Sequence, residues 1–383
     1  MNEFSKSFLL DPTVIYLNHG SFGATPKAVF DIYQTWQMEH ENQPVEFLSR
    51  RAPELLYQSR LELATYLHTL PERLVYVPNT TVGINTIARS LPLSAGDEVL
   101  TTDHEYGAMD RTWRFLARKN GFSIRKVNLA VPLKDSDSLL ADFWKAVTPA
   151  TKVIFLSHIT SQTSCILPVR SICEKARTNG IITVIDGAHA PGQLDLYLDD
   201  LGADFYVGNL HKWLCAPKGS AFLYARDEVQ HLIEPLTVSW GWESDNPGTS
   251  RFTDYLEWTG TRDISAYLTV PSAIHFQSEH NWQKQQILCH DLAVDCLNRI
   301  NELTMLASIY THSSQFIQMV SIRLPDCNIE ELKSTLYYKY RIEVPLFNWN
   351  SNPFIRVSFQ AYNEEKDLDD LTIALEQLLC HKG

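Results

Sequence analysis

Between about residues 70 and 225 the chain repeats one pattern: a short apolar run rich in β-branched residues, then a stretch long enough for a helix. Runs at 74–77, 98–101, 123–127, 152–157, 181–186, 203–207 and 220–224 fit strands, and segments such as 82–89 and 169–179 fit the helices between them. Near-continuous apolarity is what a strand buried on both faces requires. Strand–helix alternation then predicts a mostly parallel, seven-stranded sheet with helices on both sides, an α/β fold.

The pattern changes from about 265 onward. Two long helical stretches, 266–279 and 282–303, lead to strand candidates at 319–323 and 355–359. A charged amphipathic helix at 364–380 follows, with Asn363 as its expected N-cap. This region reads as a smaller α+β domain. With 383 residues the chain is too long for one small core. The expected division is a large domain at 16–264 and a small one built from 1–15 and 265–383.

Composition narrows the function classes. A formal net charge of −12 with no basic run disfavours nucleic acid as a partner. No apolar run approaches the roughly 20 residues of a membrane span, and the start of the chain lacks the features of a signal peptide. The seven cysteines (Cys165, Cys173, Cys215, Cys289, Cys296, Cys327 and Cys380) form no CxxC pair. Neither a zinc ribbon nor a redox motif is indicated, and a reducing cytoplasm is the expected setting.

Two segments carry chemistry. The run Ile181-Ile182-Thr183-Val184-Ile185-Asp186-Gly187-Ala188-His189 puts an aspartate at the end of a buried strand, where open α/β sheets bind ligands. Downstream, Tyr206-Val207-Gly208-Asn209-Leu210-His211-Lys212-Trp213 places a lysine behind a second strand. Together they are what pyridoxal phosphate requires. The lysine amine forms a Schiff base with the cofactor aldehyde, and the aspartate keeps the pyridine nitrogen protonated. The plainer readings are a turn aspartate and a solvated lysine. Lys218 is the competing amine, in a Pro-Lys-Gly turn that reads as exposed.

Other parts are expected nearby. Val77-Pro78-Asn79-Thr80-Thr81-Val82-Gly83 follows a strand and opens a helix, so Thr80 and Thr81 can face a phosphate, or simply cap the helix. His211 and Asn209 are further phosphate donors. Tyr106 is the first choice for stacking on a planar ring and His104 the second, unless either is an ordinary buried aromatic. Arg356 sits inside the apolar strand sequence Phe354-Ile355-Arg356-Val357-Ser358-Phe359. A charge there needs a partner: a substrate carboxylate held bidentately, or an acidic residue of the small domain.

Taken together these residues resemble the class V aminotransferase family, fold type I pyridoxal phosphate enzymes, and within it the isopenicillin N epimerase-like branch. The resemblance runs from 16 to about 363. It rests on Tyr16-Leu17-Asn18-His19-Gly20-Ser21-Phe22-Gly23, Asp186-Gly187-Ala188-His189-Ala190, Gly208-Asn209-Leu210-His211-Lys212-Trp213 and Trp258-Thr259-Gly260-Thr261-Arg262-Asp263. It implies Lys212 as the Schiff-base lysine and Asp186 as the pyridinium partner. His189 falls near the cofactor's ring hydroxyl, with Ser161 standing where desulfurases often have asparagine. Tyr106 falls at the stacking position, and Thr80, Thr81, Asn209 and His211 at the phosphate. Arg356, with Asn18 and His19, falls to the substrate. Thr261 resembles a residue reaching the neighbouring subunit's phosphate, which implies a homodimer with shared sites.

The expected activity is chemistry at the Cα–H of an amino acid or amino-acid conjugate, with Lys212 as general base. Epimerisation, transamination and β-elimination share one carbanion. The alternative is a C–S lyase or cysteine desulfurase. A desulfurase needs a mobile cysteine; Cys327 lies in the corresponding part of the chain but lacks glycine-rich surroundings.

Overall fold

The computed structural model of the chain describes residues 3–248 and 250–379. Seven strands build one large sheet: β1 (Leu74–Val77), β2 (Glu98–Thr102), β3 (Ser123–Val127), β4 (Thr151–Ser157), β5 (Ile182–Asp186), β6 (Phe205–Asn209) and β7 (Ala221–Ala225). Their spatial order is β1-β7-β6-β5-β4-β2-β3. Only β7 runs antiparallel to its neighbours, β1 and β6; the other pairs are parallel. The α/β fold with a mostly parallel seven-stranded sheet is the one the sequence predicts.

Successive side chains of the central strands enter two different cores, as a sheet covered on both faces demands. Val184 packs with Val75, Val153 and Val207 on one face, whereas Ile185 packs with Tyr76, Leu156 and Tyr206 on the other. Each fully buried aliphatic side chain contributes about 1.5–3 kcal/mol relative to exposure. Strand β3 departs from this pattern because it is the sheet edge. Arg125 and Lys126 are tolerated there and discourage pairing with another chain.

Beyond residue 265 a second unit forms around an antiparallel sheet of β8 (Met319–Arg323), β9 (Leu346–Trp349) and β10 (Asn352–Ser358), in the order β9-β10-β8. Strand β9 was not expected. It pairs with β10 through a two-residue turn at Asn350 and Ser351, both at positive φ (48° and 62°), the geometry of a tight hairpin. The single helix expected at 266–279 is two, Ser265–Leu268 and Val270–Glu279, with Pro271 opening the second. Asn363 does not cap the last helix, Glu365–Leu379. Its side-chain oxygen accepts from the Gln360 N–H, and Asp367 takes the Glu364 N–H instead. Cys380, the expected end of that helix, lies outside the described residues.

The N-terminal segment binds to this second unit. Ile15–Tyr16 pairs in parallel with Ile342–Glu343, and the Phe8 ring packs edge-on against Tyr362, 4.9 Å between centroids. That docking carries residues 17–25 across to the carboxyl ends of the large sheet's strands.

Candidate active site

The carboxyl ends of β4, β5 and β6 are in register, with Ser157 opposite Asp186 and Asp186 opposite Val207. A cavity of about 280 Å³ opens above them. Asp186 is 4% exposed and accepts a 2.9 Å hydrogen bond from the Ala188 N–H. Gly187 is required at the next position, because a Cβ there would lie 2.1 Å from the Tyr206 ring. Burial raises the Asp186 carboxyl above its ordinary value, against the Ala188 bond and the Lys212 charge. In the absence of a cation from a ligand, the carboxylate is costly where it stands.

Lys212 reaches the same cavity. Its Nζ is 3.2 Å from His189 Nε2, and Trp213 donates its indole N–H to His189 Nδ1 at 3.2 Å. Burial lowers the lysine below its usual value, the Arg356 charge adds to this, and Asp186 opposes it. A lysine so placed is a nucleophile and base near neutral pH. Lys218 is exposed in its turn, as expected, and does not line this cavity.

One end of the cavity is built for an anion. Asn79 caps the Thr80–Ser90 helix by accepting from the Val82 N–H, and Asn209 at the end of β6 accepts from the Thr80 N–H. Thr80, Thr81, Asn209 and His211 all line this end, and the buried Thr80 Oγ1 has no partner among the described residues. A helix N-terminus with a spare buried hydroxyl is suited to phosphate. His211 Nδ1 donates to the Ser220 carbonyl, and burial takes its pKa down to about 4. It would therefore offer Nε2 as a donor to a phosphate only as an imidazolium, a form that an adjacent dianion favours.

The other end holds Arg356, 7% exposed on β10. Nη1 donates to the Ser161 carbonyl (2.6 Å) and Ser161 Oγ (3.1 Å), Nη2 donates to Ser21 Oγ (3.0 Å), and the buried Nε has no partner among the described residues. Burial draws the guanidinium down to about 10, which leaves it charged at neutral pH. Among the described residues no carboxylate stands at ion-pairing distance from it. The internal ion pair left open by the sequence is not formed.

Ten of the expected site residues line this one cavity: Thr80, Thr81, Tyr106, Ser161, Asp186, His189, Asn209, His211, Lys212 and Arg356. Asn18 and His19, expected at the substrate, do not. Asn18 turns away to donate to Glu343 Oε1 and accepts from Ser21 Oγ. His19 is fully buried beneath the lysine loop, its Nε2–H donating to the Lys212 carbonyl and its Nδ1 accepting from Tyr362. His104, the second choice for stacking, is also sealed off, held by Thr163 Oγ1 and the Leu129 carbonyl. Thr261 is exposed and outside the cavity of its own chain.

Several site residues had no expected role. Gly20, Ser21 and Phe22 line the cavity because the N-terminal loop presses onto the lysine loop. Gly23, at φ +69°, makes that approach, and a Cβ there would sit 2.1 Å from the His211 carbonyl oxygen. Ser157 also lines the cavity; its N–H and Oγ both donate to the buried Glu105, whose pKa burial lifts to about 7. A serine at the end of the strand beside Asp186 was the available signal for it.

The donors fit pyridoxal 5'-phosphate: an anion site at a helix start, a buried carboxylate for the pyridine nitrogen, and a neutral-prone lysine between them. Known proteins agree. The family model for class-V aminotransferases matches residues 15–371. The isopenicillin N epimerase of Amycolatopsis lactamdurans is 38% identical, covering 96% of each chain. A probable chloroplastic L-cysteine desulfhydrase of Arabidopsis thaliana is 26% identical over 99% of this chain and 85% of its own. The apo cysteine desulfurase of Thermococcus onnurineus NA1 superposes with a TM-score of 0.85 over 99% of this chain and 98% of that one, at 21% identity, and so shares the fold. The chain belongs to the class-V aminotransferase family and is a pyridoxal phosphate enzyme.

Proposed function

We propose that this enzyme removes the Cα proton of an amino acid or amino-acid conjugate whose carboxylate is held by Arg356, in the manner of an isopenicillin N epimerase. The observation that carries the reading is the Arg356 guanidinium: buried, charged, lacking an acidic partner among the described residues, and in one cavity with Lys212. Bound pyridoxal phosphate supplies an electron sink for the negative charge left at Cα. Arg356 anchors the carboxylate through parallel charge-assisted hydrogen bonds. Lys212, kept neutral by burial and by Arg356, is the base that takes the proton. Asp186 would keep the cofactor's ring nitrogen protonated, its carboxylate balancing that charge.

Proton return from the opposite side gives the epimer, and loss of a β-substituent gives C–S lyase chemistry. Among the described residues no cysteine lines the cavity, and Cys327 lies half-buried against the hydrophobic core, so sulfur transfer through an active-site thiol has no support from this geometry. The test is a screen of amino acids, including cysteine conjugates, for Cα–H exchange in deuterated water, with product identification. Exchange with inversion supports the reading. Release of sulfide and a keto acid alone moves it to the lyase class, and exchange with no amino acid overturns it.

The reading includes a homodimer with shared sites. Its motive is Thr261, exposed outside its own cavity. Sedimentation at assay concentrations should find a dimer, and Thr261→Ala should weaken cofactor affinity; a fully active monomer is the contrary result. The buried free thiols Cys165, Cys173, Cys215, Cys289 and Cys296 fit a reducing cytoplasm, and no helix among the described residues is long and apolar enough to cross a membrane.

A further inference from the structure

The side chains around Lys212 contain a constraint that the proposed reaction does not by itself require. An indole nitrogen can only donate. Trp213 Nε1 lies 3.2 Å from His189 Nδ1, so Nδ1 must be the bare nitrogen of the imidazole. His189 is 2% exposed, and burial together with the nearby Arg356 charge holds it neutral. Its single proton is therefore on Nε2, the nitrogen 3.2 Å from Lys212 Nζ. That N–H needs an acceptor, and a lysine nitrogen accepts only as the free amine.

We propose that Trp213 is a positioning residue: its N–H selects the His189 tautomer that donates to Lys212, so the lysine is presented to the cavity as a free base. The inference rests on Lys212 being the cofactor lysine of the reading above. Trp213 is itself fixed, fully buried with its ring 5.0 Å from that of His19, and its backbone carbonyl accepts from Gln277. His189 is also tied down, since its carbonyl accepts from Gln193. Without the indole N–H the imidazole could carry its proton on Nδ1. Nε2 would then offer a lone pair to Lys212 and favour the ammonium. Loss of the Trp213 N–H therefore raises the lysine pKa.

The groups facing the pair from the surrounding elements are Asp186 at the end of β5, Arg356 on β10, His211 beside the lysine and His19 beneath it. None is altered by Trp213→Phe, which keeps an aromatic ring and removes the donor. Two readouts other than turnover test the relay. In ¹⁵N-histidine spectra of the native protein, with His189 assigned by its loss in His189→Gln, Nδ1 should be unprotonated and Nε2 protonated. In the cofactor-free full-length protein, competitive acetylation at Lys212, read by peptide mass, should shift to higher pH in Trp213→Phe. The expected shift is about one pH unit, a roughly tenfold loss of labelling near neutrality. If Trp213→Phe does not fold, a benzothienylalanine at position 213 removes the N–H with the bicyclic shape retained.

A protonated Nδ1 in native protein, or an acetylation profile unchanged by loss of the N–H, overturns the relay. Borohydride reduction of the holoenzyme separates this from a failure of the functional reading. A pyridoxyl label on another lysine overturns that reading and this inference with it, whereas the label on Lys212 leaves the two results above to judge the relay alone.

Discussion

The two ends of the cavity are built in different ways. The end proposed for phosphate uses Thr80, Thr81, Asn209 and His211, each at the start of the helix that follows β1, at the end of β6 or on the loop leaving it. The carboxylate end is assembled across the chain: Arg356 from β10 meets Ser161 at a separation of 195 residues and Ser21 at 335. Cofactor chemistry is thus a property of the large sheet. In the proposed reading, substrate recognition depends on the second unit and the N-terminal loop docking over that sheet. Changes in the second unit can alter what is bound without altering how the cofactor is held.

Four substitutions should break or sharpen this contrast. Lys212→Ala should have the largest effect, lowering Cα–H exchange by about 10²- to 10⁴-fold, the contribution of a positioned base; exchange near the native rate would remove the lysine from its role. Asp186→Asn should cost on the order of 10²–10³-fold in turnover, with cofactor still retained by the phosphate end. The same variant has a pH signature. Burial raises the folded-state pKa of Asp186 above its unfolded value, so in cofactor-free protein its contribution is greatest below the ordinary carboxylate range and is lost as pH rises through the folded value. Cofactor-free Asp186→Asn should accordingly melt above the native chain at neutral pH, with the gap closing towards about pH 4; a gap that widens in acid contradicts this.

At the carboxylate end the effects should be confined to substrate. Arg356→Lys retains the charge and loses the fork. It should weaken amino-acid binding about 10-fold, measured by the amino-acid-induced spectral change, with cofactor affinity unmoved. A lower melting temperature with intact binding would instead make Arg356 structural. Ser161→Ala should be the mildest, because the Ser161 carbonyl still accepts from Arg356 and one neutral hydrogen bond contributes about 0.5–1.5 kcal/mol. A several-fold loss of cofactor affinity in Ser161→Ala would return that serine to the cofactor, where the family resemblance put it.

The same contrast explains what could be read from sequence. Asp186 and Lys212 were legible because a strand end in an α/β pattern fixes where a residue points before any tertiary contact is known. Arg356 was legible because a charge in an apolar strand is costly enough to demand a partner. Asn18, His19 and His104 were not, because a polar residue's role depends on which face packs against what. His19 faces the Lys212 carbonyl and Tyr362 rather than the cavity only because the N-terminal loop docks as it does. Ser21 became part of the site through contacts 335 residues away, which no local pattern encodes. Strand β9 was missed because its hairpin relies on left-handed Asn350 and Ser351, with no glycine to mark the turn.

The 335-residue separation between Ser21 and Arg356 also orders events during synthesis. By the time β7 is complete at Ala225, the chain already contains Asp186, Lys212 and the residues proposed to hold phosphate. The Arg356 guanidinium, proposed to anchor the substrate, emerges more than a hundred residues later, on one of the last strands made. A nascent chain thus has the groups proposed to take up its cofactor well before it has the one proposed to hold an amino acid.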